Sequence, residues 1–208
     1  MTRFKQFAIR RHLQHVFQYI LLVACKLALQ PFTRADTAAV KPEFLKNQPY
    51  IIISNHRHWI DPFVICAALP VRSVFKITPV SFMTKNIFYD SLLKPLMWLA
   101  GAYPARNPNG NHKLFGVDGS IQLLQNGFSM CIFPEGKCVF GAERVPAHTG
   151  VIRIHQAVPR IPFILCHIEY NNGIKPWLTG RRRVVRYCLV DAPHYANADV
   201  IMDDIFAL

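Results

Sequence analysis

Tyr50-Ile51-Ile52-Ile53-Ser54-Asn55-His56-Arg57-His58-Trp59-Ile60-Asp61-Pro62 joins a short, uncharged, β-branched run to a polar loop and then to an Asp-Pro pair. Such a run fits a strand buried on both faces, and Asp61 followed by Pro62 fits the N-cap and first position of a helix over residues 63–69. His56 is thereby placed in a strand-to-helix loop, where open α/β sheets carry their sites. On one continuous helix, residues five apart point about 140° away from each other, so His56 and Asp61 meet only if this loop folds back.

A His–Asp pair suits general-base chemistry. The aspartate fixes the tautomer through one ring nitrogen, and the other nitrogen is left to take a proton from an attacking hydroxyl. No serine or cysteine carries a G-x-S-x-G nucleophile elbow, so direct attack by a substrate hydroxyl is expected rather than a covalent enzyme intermediate. With nine His and eight Asp in 208 residues, a His-x4-Asp spacing arises by chance in roughly one such chain in three, so the pair alone decides little. A second signal is Phe133-Pro134-Glu135-Gly136, which again follows an apolar run, Met130-Cys131-Ile132, and turns sharply at Pro and Gly. A chance match to a given tetrapeptide in such a chain is on the order of one in a thousand, which makes the conjunction specific. Gly101-Ala102-Tyr103-Pro104-Ala105-Arg106 then ends a hydrophobic segment in a lone arginine.

With these blocks in hand, the sequence resembles the PlsC-type glycerolipid acyltransferases, the family of 1-acylglycerol-3-phosphate acyltransferases. Members show Asn-His-x4-Asp, Gly-x-Phe-Pro-x-Arg, Phe-Pro-Glu-Gly and a Val-Pro-x-x-Pro strand. All four blocks occur here in that order, the second with Tyr103 in place of Phe and the last as Val158-Pro159-Arg160-Ile161-Pro162, so the likeness covers residues 49–189. The resemblance implies acyl transfer from a thioester, acyl-coenzyme A or acyl-carrier protein, to a lysophospholipid hydroxyl in phospholipid biosynthesis, with no cofactor. It also implies His56 as general base with Asp61 as its orienting partner, Arg106 as a phosphate contact, and Glu135 with Gly136 as part of the acceptor site. Two departures stand out. Many relatives continue the third block Thr-Arg-Ser, whereas this chain has Lys137-Cys138-Val139, and His148 stands where a Lys commonly precedes Thr-Gly.

The composition agrees with a lipid-facing surface: 51% of residues are hydrophobic and 17% charged, against roughly one-quarter charged in ordinary soluble domains. The length suits one domain with a full core plus an N-terminal appendage. The formal net charge of +12 suits nucleic acid, an anionic membrane or an acidic carrier protein about equally. Cysteines 25, 66, 131, 138, 166 and 188 form no C-x-x-C pair, which signals neither zinc nor a disulfide framework and fits a reducing, cytosol-facing compartment. His56-Arg57-His58 does not complete the metallo-hydrolase pattern H-x-H-x-D-H, because Asp61 comes three residues after the second His and no His follows it; no metal is expected.

Residues 1–35 hold Arg3, Lys5, Arg10, Arg11, Lys26 and Arg34 and no acid. Ile9, Leu13, Val16, Phe17, Ile20, Val23, Ala24 and Leu27 recur at helical spacing, with Arg11, Gln14, His15, Gln18 and Lys26 opposite them. The pattern is that of an amphipathic helix lying in the interface of an anionic leaflet rather than crossing it, since the uninterrupted apolar stretch, residues 19–25, falls far short of roughly 20 residues. A signal peptide lacking a small-residue cleavage site, or an ordinary packing helix, are the other readings of the segment. The division expected is residues 1–40 as basic helical segment and linker and 41–208 as acyltransferase domain, with residues 35–48 as linker.

Beyond the first motif, residues 71–83 read as a strand broken by Pro79, 87–99 as an apolar-rich helix despite Pro95, and 115–125 as a helix that Gly127 ends. Strands over 130–133, 161–168 and 184–190 and a helix over 150–157 follow, with Arg181, Arg182 and Arg183 as a solvated or membrane-facing patch. Alternating strands and helices give an α/β fold, a largely parallel β-sheet flanked by helices, with both motif loops at strand ends. His58, Trp59 and Lys85 are read as structural. The expected partners are membrane lipids and an acyl-carrier protein, and the location is membrane-associated on the cytoplasmic face. The competing reading is a basic nucleic-acid- or lipid-binding protein without turnover. Nucleic acid is not expected, because the leading cluster of basic residues lies on an apolar helix rather than among interleaved aromatics on a basic face.

Overall fold

The computed structural model describes residues 3–89, 91–107, 110, 112–139, 143–170, 183–191 and 193–208, with backbone alone for 3–5, 87 and 88. Arg181 and Arg182 of the expected basic patch lie outside the described residues.

Helix α1 (Arg3–Leu29) leads to strand β1 (Thr33–Asp36), β2 (Ile51–Ser54), α2 (Asp61–Ala68), α3 (Val71–Ile77) and β3 (Val80–Thr84). Then come α4 (Asn86–Tyr89), α5 (Lys94–Leu99), β4 (Ala102–Pro104), α6 (Gly116–Gln125), β5 (Ser129–Ile132), α7 (Gly150–Ala157), β6 (Phe163–Tyr170), β7 (Arg183–Val190) and α8 (Ala198–Ala207). The strands form one sheet in the order β1-β7-β6-β2-β5-β3-β4. Among the described residues only the β6–β7 pairing is antiparallel, so the largely parallel sheet flanked by helices is the one the sequence pattern calls for.

The run Ile51-Ile52-Ile53 is uncharged because both its faces are covered. Ile52 packs toward Leu22, Val64, Val74 and Ile77 on one side, and Ile51 and Ile53 pack toward Leu123, Val151, Ile154 and Ile201 on the other. Helices α1 to α3 thus cover one face and α6 to α8 the other. Each of the three isoleucines is fully buried, worth about 1.5–3 kcal/mol apiece relative to exposure. Strands β5 and β3 lie on one side of β2, β6 and β7 on the other. The strand order therefore reverses at β2, and the crevice beyond its carboxyl end is where open sheets place their sites.

Several elements differ from the sequence expectation. The first half of residues 71–83 is helix α3, not strand: Pro70 precedes it, Ser73, Val74 and Ile77 form its buried face, and Lys76 Nζ holds the carbonyls of Pro42 and Leu45 at 2.5 and 2.7 Å. The expected helix over 87–99 is two short helices, α4 and α5, because Pro95 starts a new helix within its first positions instead of lying inside one. The expected linker over 35–48 supplies part of β1, which pairs with β7, and buries Val40 and Leu45. Arg183 is not on a solvated patch; its side chain is buried with the guanidinium 5.7 Å from the Tyr170 ring centroid.

Helix α1 packs the reverse way from a helix of a soluble domain. Arg10, Gln14, Gln18 and Leu22, at four-residue spacing, are the buried stripe, while Ile9, Leu13, Val16, Ile20 and Leu27 are exposed. The polar stripe satisfies the sheet and helix ends beneath it. Gln18 accepts from Val80 N at 2.7 Å and donates to Val80 O at 2.8 Å, Gln14 donates to Trp98 O, and Lys26 Nζ donates to Ala67 O and Leu69 O at the end of α2. Gly101, at φ +97°, lets β4 approach this contact, since a Cβ there would lie 2.1 Å from Val80 O. By length and composition, residues Gln6–Phe32 are apolar enough to cross a membrane.

Candidate functional site

Strand β2 ends at Ser54, and the buried amide of Asn55 just after it continues the ladder in place of backbone: Nδ2 donates to Ile168 O at 2.9 Å and Oδ1 accepts from Ile168 N at 2.8 Å. The side chain takes over the pairing, so the main chain is released toward the loop that carries His56.

The loop does fold back. His56 Nδ1 lies 3.0 Å from Asp61 Oδ2, and the same oxygen accepts from the backbone of Arg57 at 2.6 Å and of His58 at 2.7 Å. Asp61 Oδ1 accepts from the Tyr170 hydroxyl at 2.5 Å. Asp61 is thus the first residue of α2 rather than a side-chain N-cap, and its carboxylate is spent on the loop before it. This fully buried group has donors on both oxygens, as a carboxylate removed from water requires. Facing it, burial and then the neighbouring Asp61 charge push the Tyr170 phenol far above its ordinary value, so it stays a donor. With Nδ1–H given to Asp61, Nε2 of His56 is the nitrogen left to accept a proton, and the Cys138 thiol is its hydrogen-bonding neighbour.

The second motif meets the first directly. Glu135 Oε2 accepts from His56 N at 2.6 Å, Val139 N donates to His56 O at 2.7 Å, and Phe133 stacks on the His56 ring with centroids 4.1 Å apart and planes 22° off parallel. Glu135 is buried, and its Oε1 has no hydrogen-bond partner among the described residues. Burial raises its carboxyl above the ordinary value, with the His56 backbone bond opposing. Gly136, at φ +65°, closes the turn against His148, where a Cβ would come within 2.6 Å of the imidazole.

His56, Asp61, Glu135 and Gly136 are therefore gathered at the carboxyl ends of β2 and β5. Arg106 is not part of that cluster. It follows β4, three positions from β2 in the sheet, which at about 4.8 Å per strand is roughly 14 Å away; it is exposed and its backbone pairs with the Asn86 side chain. Three contributors are not singled out by the sequence. Tyr170, at the far end of β6, carries no motif, and Asn55 stands within the first motif without an evident role. Cys138, whose Sγ lies 3.3 Å from His56 Nε2, shows in the sequence only as a departure from the family pattern, and that departure is the signal.

The Acyltransferase family matches residues 36–168. The chain is 22% identical over 150 residues to a probable 1-acyl-sn-glycerol-3-phosphate acyltransferase of Mycoplasma pneumoniae, covering 69% of this chain and 56% of that protein. It is 21% identical over 201 residues to the chloroplastic 1-acyl-sn-glycerol-3-phosphate acyltransferase BAT2 of Brassica napus, covering 94% and 54%. The chain spans about half the length of the curated relatives it matches. In fold it is similar to the crystal structure of the 1-acyl-sn-glycerophosphate acyltransferase PlsC from Thermotoga maritima, with a TM-score of 0.62 at 13% identity over 97% of this chain and 93% of that one. With the family matched across residues 36–168, most of the sheet and both motif loops included, the chain belongs to the Acyltransferase family.

Proposed function

We propose that this protein moves a fatty acyl group from an acyl thioester, acyl-coenzyme A or acyl-carrier protein, to the hydroxyl of a lysophospholipid, 1-acylglycerol-3-phosphate, in phospholipid biosynthesis. The observation that carries the reading is the His56 Nδ1 contact with buried Asp61 at 3.0 Å, which leaves Nε2 as the base beyond the carboxyl end of β2, on a side chain 17% exposed. His56 takes the proton of the acceptor hydroxyl, and Asp61 stabilises the imidazolium that forms. Glu135 and Gly136 shape the acceptor side of the loop, and Arg106 meets the acceptor's phosphate along the same edge, as a guanidinium is suited to do. The names of the matched relatives support the acceptor class.

The exposed apolar side of α1, together with exposed Leu92, Leu93 and Leu96 at the start of α5, a helix that packs on α1, supports docking on a bilayer, where both lipid substrates reside. The polar stripe holds the helix to the domain, so the helix lies along the surface it binds rather than leaving the domain to cross it. Mass spectrometry of lipids formed from a panel of lysolipids with each donor tests the reading. Product from a phosphate-bearing lysolipid is the expected result. Product from other headgroups only would reassign the acceptor, and tight nucleic-acid binding with no transfer would favour a binding protein.

A further inference from the structure

At the amino ends of β2, β3 and β5, the sheet edge opposite His56, an open cleft of about 420 Å³ lies between α1 and the residues that lead into those strands. Pro49, which lines it, and His56 bracket β2 and are separated by roughly 20 Å of extended chain, so the cleft is separate from the site already described. Its titratable lining is basic: Arg11, His12 and His15 from α1 and Lys76 from α3, with no Asp or Glu among the described residues. Glu43 stands with Arg72 in the adjoining hollow that shares Phe75 and Lys76.

Three of the four basic side chains are held in place by the fold. Arg11 lies against the turn after α6, where a Cβ on Gly127 would come 2.5 Å from its Nη1. His15 Nδ1 lies 3.0 Å from the Thr78 hydroxyl and 3.1 Å from Thr78 O, and the ring packs edge-on against Phe75 with centroids 4.8 Å apart. Nε2 of His15 is then the nitrogen left for a ligand, a donor when Nδ1 accepts from that hydroxyl or when the ring is protonated. Lys76 is fixed by the carbonyls of Pro42 and Leu45. Side chains anchored in this way lose less freedom on binding an anion than free surface chains do.

The cleft also borders the apolar side of α1. At about 100° per residue, Arg11, His12 and His15 fall on the flank between the buried stripe of Arg10, Gln14 and Gln18 and the outward stripe of Ile9, Leu13, Val16 and Ile20. Phe75, 56% exposed, also lines the cleft. With the outward stripe sunk to the acyl boundary, this flank lies at the level of the headgroups.

We propose that the cleft binds the phosphate of an anionic phospholipid headgroup, with Arg11 as its bidentate contact and His12 and His15 as further donors, and that this contact fixes how α1 is rolled on the bilayer. The inference rests on the docking of α1 proposed above. Charge attraction alone would be indifferent to which cation carries the charge; a phosphate held by a guanidinium fork is not.

The test is flotation of the full chain with phosphatidylcholine vesicles, with and without phosphatidylglycerol, for the wild type, Arg11→Gln, Arg11→Lys and His15→Gln at matched melting temperature. All three variants should lose about 10-fold or more in affinity for phosphatidylglycerol vesicles and none for pure phosphatidylcholine, while activity on a short, water-soluble acceptor stays at the wild-type rate. Wild-type affinity in Arg11→Lys, with Arg11→Gln losing no more than the roughly five-fold that one basic residue near an anionic surface is worth, would leave diffuse attraction only and overturn the site. Inorganic phosphate that binds the wild type and not Arg11→Gln, with no gain from phosphatidylglycerol in vesicles, would assign the cleft to a soluble anion and overturn the lipid. The docking reading fails separately, through unchanged binding to neutral vesicles when Leu13 and Ile20 are both replaced by Ser.

Discussion

His56 and Asp61, five residues apart, lie 3.0 Å from each other through Nδ1 and Oδ2 because the loop between them turns its own backbone N–H groups, those of Arg57 and His58, onto the same carboxylate oxygen. The carboxylate therefore both folds the loop and orients the His56 imidazole. Asp61→Asn puts an amide where donors converge, stranding at least one buried group. It should cost about 1–3 kcal/mol in denaturant unfolding and lower the transfer rate by about 10²–10⁴-fold. A variant as stable and as active as the wild type would contradict this double role.

Asn55 makes a different prediction. Asn55→Ala leaves the Ile168 N–H and C=O without their partners, about 1–3 kcal/mol for each buried group left unsatisfied. Because the amide also sets where the loop departs, the rate should fall even under conditions in which the variant is fully folded. Thermal melts and rates on the same sample check both effects.

Glu135 should imprint a pH dependence on stability. Its native carboxyl titrates above the ordinary value of 4.5 because burial outweighs the His56 backbone bond, so the native state keeps its proton where the unfolded chain has lost it. That contribution is fully present below the unfolded value and is lost as pH rises through the native one. Glu135→Gln should flatten the decline across the acid-to-neutral range in denaturant melts. Equal slopes for variant and wild type would show that the group is not strained by burial.

On the helix surface, Arg11 is exposed whereas Arg10 is buried beside Trp98 and Phe128. Arg11→Gln should weaken binding to anionic vesicles and reduce its salt dependence. Leu13→Ser with Ile20→Ser should weaken binding to neutral vesicles as well, with little change in melting temperature, since both residues already face outward. Unchanged vesicle binding by the double variant would mean that α1 is not the docking face.

The parts of this molecule legible in sequence were those with a local signature. Ile51-Ile52-Ile53 announces a strand covered on both faces, and residues 150–157 form the expected helix over those same bounds. That His56 and Asp61 meet only if their loop folds back followed from the five-residue spacing, and the structure shows the fold-back. What sequence concealed was set by partners distant along the chain. Residues 71–77 are rich in β-branched and aromatic side chains, yet become helix because Val74 and Ile77 fill the core beneath α1 and α2. The polar stripe of α1 read as water- or headgroup-facing, since only the fold reveals the Val80 and Trp98 backbone groups that Gln18 and Gln14 satisfy. Tyr170 reaches Asp61 across 109 positions, a separation at which no motif operates.

The most direct measurement of the central claim is acyl transfer from a radiolabelled acyl thioester to 1-acylglycerol-3-phosphate in vesicles, comparing the wild type with His56→Ala at matched melting temperature and vesicle binding. Labelled diacyl product from the wild type and a loss of about 10²–10⁴-fold in the variant are predicted for the general base. Product formed by His56→Ala at the wild-type rate would contradict the account.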